Sequence, residues 1–273
     1  MKVQRRLSPA VAAPAVALLS WSTRAGAELL SGRPEDVSLD GHLGDRLFDL
    51  TTVMVGGLFL LMVTVLLVVA IFHRDRPGRA AWYFHGRGKR SLLVTAAFCG
   101  TVFLSVDGTL LVNSFEDLNE HFWKWPTDAR TVKVEVAAQQ WGWNFRYAGP
   151  DGKFNTDDDI LTFNEMTVPV DTPVFVKLKS KDVIHSFYLP NFRIKQDAIP
   201  NALTQMWFQA KKTGDFEIGC AQHCGVNHYK MRGLLHVVSP RDFTDWQKVE
   251  TADSSRRYDT ADTTAHWGWD WES

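Results

Sequence analysis

The stretch Asp215-Phe-Glu-Ile-Gly-Cys220-Ala-Gln-His-Cys224-Gly-Val-Asn-His228-Tyr-Lys-Met231 places Cys220, Cys224, His228 and Met231 at intervals of four, four and three residues. Thiolate and thioether sulfur with imidazole nitrogen suit copper, whereas carboxylates and carbonyls suit magnesium or calcium. No carboxylate stands among these four. A mononuclear blue-copper centre uses one Cys, two His and a weak axial Met, so the second cysteine calls for something more. Two thiolates can bridge two copper ions that share one odd electron, and such a pair need rearrange little when its charge changes. A second terminal imidazole is then required, and His185 in Asp182-Val-Ile-His-Ser-Phe-Tyr-Leu-Pro190 offers one from a neighbouring connection. Two other readings stay open on these residues alone. Cys220 and Cys224 could form a disulfide in an oxidising compartment, or the cluster could hold zinc, which rarely recruits methionine.

Around this loop the pattern is short, β-rich and broken by turn residues. Alternating or apolar runs at 131–137, 144–147, 162–168, 174–178, 205–210, 215–218 and 234–238 are punctuated by Gly149-Pro150, Pro173, Pro200 and Gly214. Many short strands with regular turn signals predict an all-β Greek-key sandwich over residues 127–250. The cysteine loop, 219–233, then joins the last two strands, and ligands distant in sequence meet at one end of the scaffold.

Upstream the composition changes. The runs 51–72 and 91–112 each supply 22 predominantly apolar residues, enough at ~1.5 Å per residue to cross ~30 Å of hydrocarbon. The connection 73–90 holds Arg74, Arg76, Arg79, Arg87, Lys89 and Arg90 against Asp75, which predicts a cytoplasmic loop and places residues 28–50 and the β domain on the outer face. Residues 1–27 carry Lys2, Arg5 and Arg6, an apolar stretch and Ala25-Gly-Ala27, the grammar of a signal peptide cleaved before Glu28. Asp107, inside the second apolar run, is costly in a membrane and is expected to hydrogen-bond a partner helix. The formal net charge of −1 argues against a nucleic-acid partner. Cys99, Cys220 and Cys224 are too few for a disulfide framework, and Cys99 reads as a buried small apolar residue.

Four ordered motifs, Gln140-Trp-Gly-Trp143, Asp182-Val-Ile-His185-Ser-Phe, Lys195-Gln-Asp197-Ala-Ile-Pro200 and Cys224-Gly-Val-Asn-His228, make the chain resemble subunit II of the haem-copper oxidases, the copper A subunit of cytochrome c oxidase. The resemblance runs from the helix pair to about Trp246. It implies a cupredoxin-like domain in which Cys220 and Cys224 bridge two coppers. His185 and His228 each cap one ion, while Met231 and the Gln222 backbone carbonyl are weak axial ligands. It implies electron entry from cytochrome c at Trp141, with Trp143 the more buried neighbour, and exit toward haem in a catalytic haem-copper subunit I that reduces oxygen to water. It also implies a multi-pass protein of the bacterial inner membrane, in contact with lipid, its copper domain periplasmic. Without the family, Trp141 and Trp143 read as packing aromatics on one face of a strand.

Two departures matter. Many relatives have Glu at position 222, where it binds magnesium at the subunit boundary; Gln222 brings an amide, a poorer magnesium ligand. Many also place a Glu near position 91, at the inner end of the second helix, for proton uptake, and this chain has Ser91. The alternative is therefore the copper A subunit of a nitric oxide reductase. A copper chaperone is a reading from another class. Asn201, in place of a common Gly, tolerates the same turn. The acid-rich segment 149–159 reads as a hairpin tip, with a calcium loop and a docking patch beside Trp141 as functional readings. The tail 251–273, ending His266-Trp-Gly-Trp-Asp-Trp-Glu-Ser, is expected to be flexible, and its tryptophans to anchor on a partner or the lipid interface. The absence of Cys-x-x-Cys-His predicts no attached haem.

Overall fold

The computed structural model describes residues 32–74, 77, 78 and 85–257, with side chains through residue 254. The expected signal peptide, the middle of the basic connection and the tryptophan-rich end lie outside the described residues.

Helix α1 spans Gly41–Phe72, and helix α2 spans Lys89–Phe122 with π-helical stretches at Phe103–Asp107 and Leu118–Phe122. Both are longer than the apolar runs because each continues past its apolar segment toward the β domain. Their most apolar 18-residue windows have mean hydropathies of 2.9 and 1.6, and none of either window is buried. An apolar helix left uncovered over such a length is suited to lipid rather than to a soluble core. Arg46 donates to Asn113 Oδ1 at 2.9 Å where the two helices leave this zone.

The rest is a sandwich of two five-stranded sheets. The strands are β1 Val132–Gln139, β2 Gly142–Tyr147, β3 Ile160–Phe163, β4 Glu165–Pro169, β5 Pro173–Ser180, β6 His185–Leu189, β7 Ile194–Ala198, β8 Thr204–Gln209, β9 Gly214–Cys220 and β10 Arg232–Val238. One sheet has the order β3-β2-β1-β5-β8 and the other β4-β10-β9-β6-β7. The expected run 162–168 is two strands that change sheet, and Asn164 makes the break at φ 60°. β7 was not foreseen. His185 opens strand β6 instead of lying in a connection, because β6 pairs antiparallel with β7 from His185↔Ala198 to Leu189↔Ile194.

Inward-facing Val134, Val136, Trp143, Phe145, Tyr147, Met166, Phe187 and Leu235 are almost completely buried between the sheets, each large side chain contributing about 1.5–3 kcal/mol by leaving water. Trp143 meets Phe187 edge-to-face at 5.2 Å between centroids. The sheets are tied polar-to-polar as well: the Thr167 backbone N–H donates to the buried Tyr147 hydroxyl at 2.9 Å. After β10, helix α3 runs Pro240–Arg257 and lays Trp246 against Tyr147. It carries regular structure seven residues into the segment expected to be a flexible tail.

The domain is pinned to the helices. Val37 and Leu39 hydrogen-bond along the end of β8, and Arg193 forks onto Asp45 of α1 at 3.0 and 3.2 Å. Trp207 of β8 donates to the carbonyl of His121 in α2 at 3.1 Å.

Candidate metal centre

Sheet register brings the predicted ligands to one end of the sandwich. Phe187 of β6 pairs with Cys220, the last residue of β9, so His185 at the start of β6 lies over the beginning of the cysteine loop. The loop then turns back through a short 3-10 turn, His228–Lys230, and delivers Met231 at the start of β10. The Ala221 N–H donates to the Ser186 carbonyl at 3.0 Å and holds the loop to β6.

The donor atoms converge. The Cys220 and Cys224 Sγ atoms are 3.8 Å apart, and Cys224 Sγ lies 3.6 Å from His228 Nδ1 and 3.7 Å from Met231 Sδ. His185 Nδ1 is 3.2 Å from Met231 Sδ, and the Gln222 carbonyl is 3.2 Å from Cys220 Sγ. Metal bonds of about 2.0–2.3 Å to nitrogen and sulfur put neighbouring ligands of one ion roughly 3.3–3.8 Å apart. The cluster has that spacing. The two sulfurs are not joined, which leaves both for metal, and soft sulfur with imidazole fits copper. The ligand atoms of His185, Cys220 and Cys224 all lie within 4.8 Å of one another. Cys224, His185 and Met231 are buried, while Cys220 and His228 are partly exposed.

Electrostatics prepares the thiols unequally. Burial raises the Cys220 thiol, but hydrogen bonds from His185, His228 and the backbone at Ser186 and Gln222 outweigh it and bring it down to about 6. Burial and the neighbouring Cys220 push Cys224 up to about 12. The two thiols thus differ in acidity, and a metal bound by both would displace the proton of the weaker acid. Burial lowers His185, yet the hydrogen bonds to Cys220 and Asp182 raise it on balance.

Asp182 orients this histidine, a role its place in the motif did not disclose. Its carboxylate lies 2.8 Å from His185 Nε2 and also accepts the Gln140 N–H at 2.6 Å and the Val183 N–H at 2.6 Å. With Nε2 donating to Asp182, the Nδ1 lone pair faces the sulfurs.

Trp141 is not on a strand face with Trp143. Gln140 and Trp141 form the two-residue connection between β1 and β2, with Gln139 paired to Gly142, whereas Trp143 is fully buried and edge-on to His185 at 6.2 Å. Half-buried Trp141 donates its indole N–H to the Cys224 carbonyl at 3.3 Å, and Gln140 Nε2 reaches the same carbonyl at 2.8 Å. Gly225 permits this approach. At φ 122°, a Cβ there would stand 3.1 Å from the Trp141 ring and 3.0 Å from Gln140 Nε2.

The acidic segment departs from expectation. It follows Tyr147, at the far end of β2 from Trp141, about 20 Å away at ~3.3 Å per residue, so it does not flank the tryptophan. Asp159 is buried and Asp158 half-buried; Asp157 is exposed. Asn155, a residue a calcium loop would use, is instead in hydrogen-bond contact with the Arg146 guanidinium, which lies 3.3 Å from Asp159 and 3.9 Å from Glu135.

Comparisons with known proteins agree with the site. Residues 132–238 match the family described as cytochrome c oxidase subunit II, periplasmic domain. The chain is 35% identical over 143 residues to the alternative cytochrome c oxidase subunit 2 of Bradyrhizobium diazoefficiens, covering 44% of this chain and 51% of that one. It is 31% identical over 164 residues to the heme-copper oxidase subunit 2 of Aeropyrum pernix, covering 58% and 62%. It thus spans about half to three fifths of these relatives. Among solved structures, the periplasmic domain of subunit II of the cytochrome oxidase of Bradyrhizobium japonicum is 32% identical, covers 47% of this chain and 97% of that one, and gives a TM-score of 0.40. By sequence, the sandwich domain of this chain, residues 132–238, belongs to the periplasmic-domain family of cytochrome c oxidase subunit II.

Proposed function

We propose that this chain is the electron-entry subunit of a cytochrome c oxidase, taking electrons from cytochrome c and passing them to a haem-copper catalytic subunit that reduces oxygen. The observation that carries this reading is the convergence of two thiols, two imidazole nitrogens, a thioether and a carbonyl at ligand spacing on one end of a rigid sandwich. Cys220, Cys224, His185, His228, Met231 and the Gln222 carbonyl would together hold two copper ions, the thiolates and imidazoles as the strong donors. When bound, such a pair supplies a one-electron centre whose odd electron is shared by both ions.

The chain's own residues do the rest. Burial of Cys224, His185 and Met231 excludes water, and strands β6, β9 and β10 fix ligand positions, so little reorganises as charge changes. The Trp141 indole N–H on the Cys224 carbonyl gives a partly exposed ring a hydrogen-bonded route to a bridging ligand. The uncovered α1–α2 pair would anchor the chain in the bacterial inner membrane against the catalytic subunit, basic connection inside and sandwich in the periplasm.

Electron paramagnetic resonance of the copper-loaded full chain tests the reading. Hyperfine structure from one electron shared over two equivalent coppers is expected. A four-line mononuclear signal, or none, would refute it.

A further inference from the structure

Asp107 stands where a carboxylate needs a partner. It lies sixteen positions beyond Ser91, about 24 Å along α2 at 1.5 Å per residue, within a hydrocarbon zone of about 30 Å. Helical side chains lean toward their helix's N-terminus, which for α2 is the Lys89 end. The short carboxylate is therefore aimed deeper into that zone, away from the nearer surface. Leu104, Leu111 and Phe115 share its face and are 72%, 58% and 55% exposed, and Asp107 is exposed with them. The face turned to α1 is a different one, marked by Asn113 and its hydrogen bond from Arg46. Among the described residues nothing pairs with the Asp107 carboxylate. Asp107 also closes a π-helical stretch in which the Gly108 N–H reaches the Phe103 carbonyl, and such stretches are rare and concentrate at functional positions.

We infer that the Leu104, Asp107, Leu111 and Phe115 face docks a transmembrane helix of a partner chain that presents an arginine or lysine to Asp107. A lone carboxylate on an otherwise apolar, uncovered face is matched by a cation at the same depth and by nothing in lipid tails. The apolar neighbours supply the surrounding contact, and the ion pair sets the register. This rests on the membrane-anchored reading above, but not on the metal centre.

The test uses the full chain produced with its partner chains, solubilised in mild detergent and recovered by a tag on this chain. Asp107→Asn and Asp107→Leu should each lower partner recovered per copper-bearing chain at least tenfold, while the copper spectrum of each variant stays that of the wild type. Normal recovery with Asp107→Asn but not Asp107→Leu would overturn the cationic partner, and normal recovery with both would overturn the docking face. A photocrosslinking phenylalanine analogue at Leu111, with Asp107 intact, should form an adduct on a partner helix carrying arginine or lysine within one turn. Adducts to lipid alone would overturn the inference. Absence of a shared-copper spectrum from the wild type would instead count against the proposed electron-entry function.

Discussion

Strand β2 runs between two clusters of polar side chains that handle buried charge differently. Before its first residue, Gln140 and Trp141 reach the cysteine loop, where six donors stand at ligand spacing and the two thiols differ in acidity. Near its last residues, Arg146 faces Glu135 across the β1–β2 ladder and reaches Asn155 and Asp159 of the following loop. The first draws side chains from segments more than forty residues apart, and the second from positions 135–159 alone. One lacks a cation of its own, and the other is built around a guanidinium. Ligand-type residues in a loop therefore imply a metal only when no arginine or lysine from the scaffold already sits among them.

The sharpest way to break the contrast is to remove a donor at the first end. Cys224→Ser leaves a hydroxyl that cannot bridge two soft ions, so the shared-electron spectrum should vanish while circular dichroism keeps the β signal. A variant that retained the shared spectrum would show that Cys224 is not a bridge.

At the second end the loss should appear in stability rather than in metal. Arg146→Met removes the guanidinium that faces two carboxylates of almost no exposure, Glu135 and Asp159, and removing one partner from a buried ion pair typically costs about 3–5 kcal/mol. A fall in the urea midpoint with an unchanged copper spectrum per folded molecule is expected; an unchanged midpoint would show that the cluster carries no net stability. Its pH dependence follows from Asp159. Burial is the main cause that raises this carboxyl from 3.8 to about 6, against hydrogen bonds and Arg146 that pull it down. A folded-state value above the unfolded one means that the native protein binds this proton more tightly. Its contribution is fully present below about pH 4 and is lost as pH rises through 6, amounting to at most about 3 kcal/mol. Asp159→Asn should flatten that slope between pH 4 and 6 in thermal melts, and an unaltered slope would assign it to another group.

The two ends also differ in how far the sequence disclosed them. The sulfur ligands and His228 fall within positions 220–231, so their chemistry is visible as local spacing, and His185 followed from the need for a second imidazole. The Arg146 cluster was invisible, because its members meet only through the β1–β2 register and the fold-back of residues 148–159. Helix α3 was missed although its start is marked. Ser239 and Asp242 exchange hydrogen bonds at 3.1 and 2.7 Å, and Pro240 occupies the first helical position. Its apolar contacts are sparse, with Phe243 and Trp246 the aromatic anchors, so no strong periodicity announced it. Strand β7 was hidden because the residues before it read as part of the His185 connection. The hairpin turn depends on Pro190 and on Arg193 at φ 57°, a conformation uncommon for a side-chain-bearing residue.

Asp182 tests whether the metal end depends on more than its direct ligands. Asp182→Asn keeps the size and can still meet the Gln140 N–H, but it replaces a carboxylate that accepts from His185 Nε2 with an amide. Partners that orient a metal-bound histidine typically account for 10–100-fold in affinity, so copper should dissociate that much more readily while the two-copper spectrum survives at saturation. Equal affinity in a competition titration would assign the orientation of His185 to packing against Trp143 instead.

The smallest expected effect falls on Asp157, and it follows from distance. Asp157 is exposed, so its charge is available to a partner, but it belongs to the loop beyond Tyr147, while Trp141 precedes the first residue of β2. The intervening ~20 Å of strand is about twice the Debye length of ~10 Å at 0.1 M salt. A cationic donor docking over Trp141 would feel little of this carboxylate. Asp158 and Asp159 are turned inward, toward Thr156 and Arg146, and add little outward field. Asp157→Asn should therefore leave both the rate of reduction by cytochrome c and its dependence on ionic strength unchanged within error. A slower reaction confined to low salt would mean that the donor approaches from the acidic end, and would move the entry port away from Trp141.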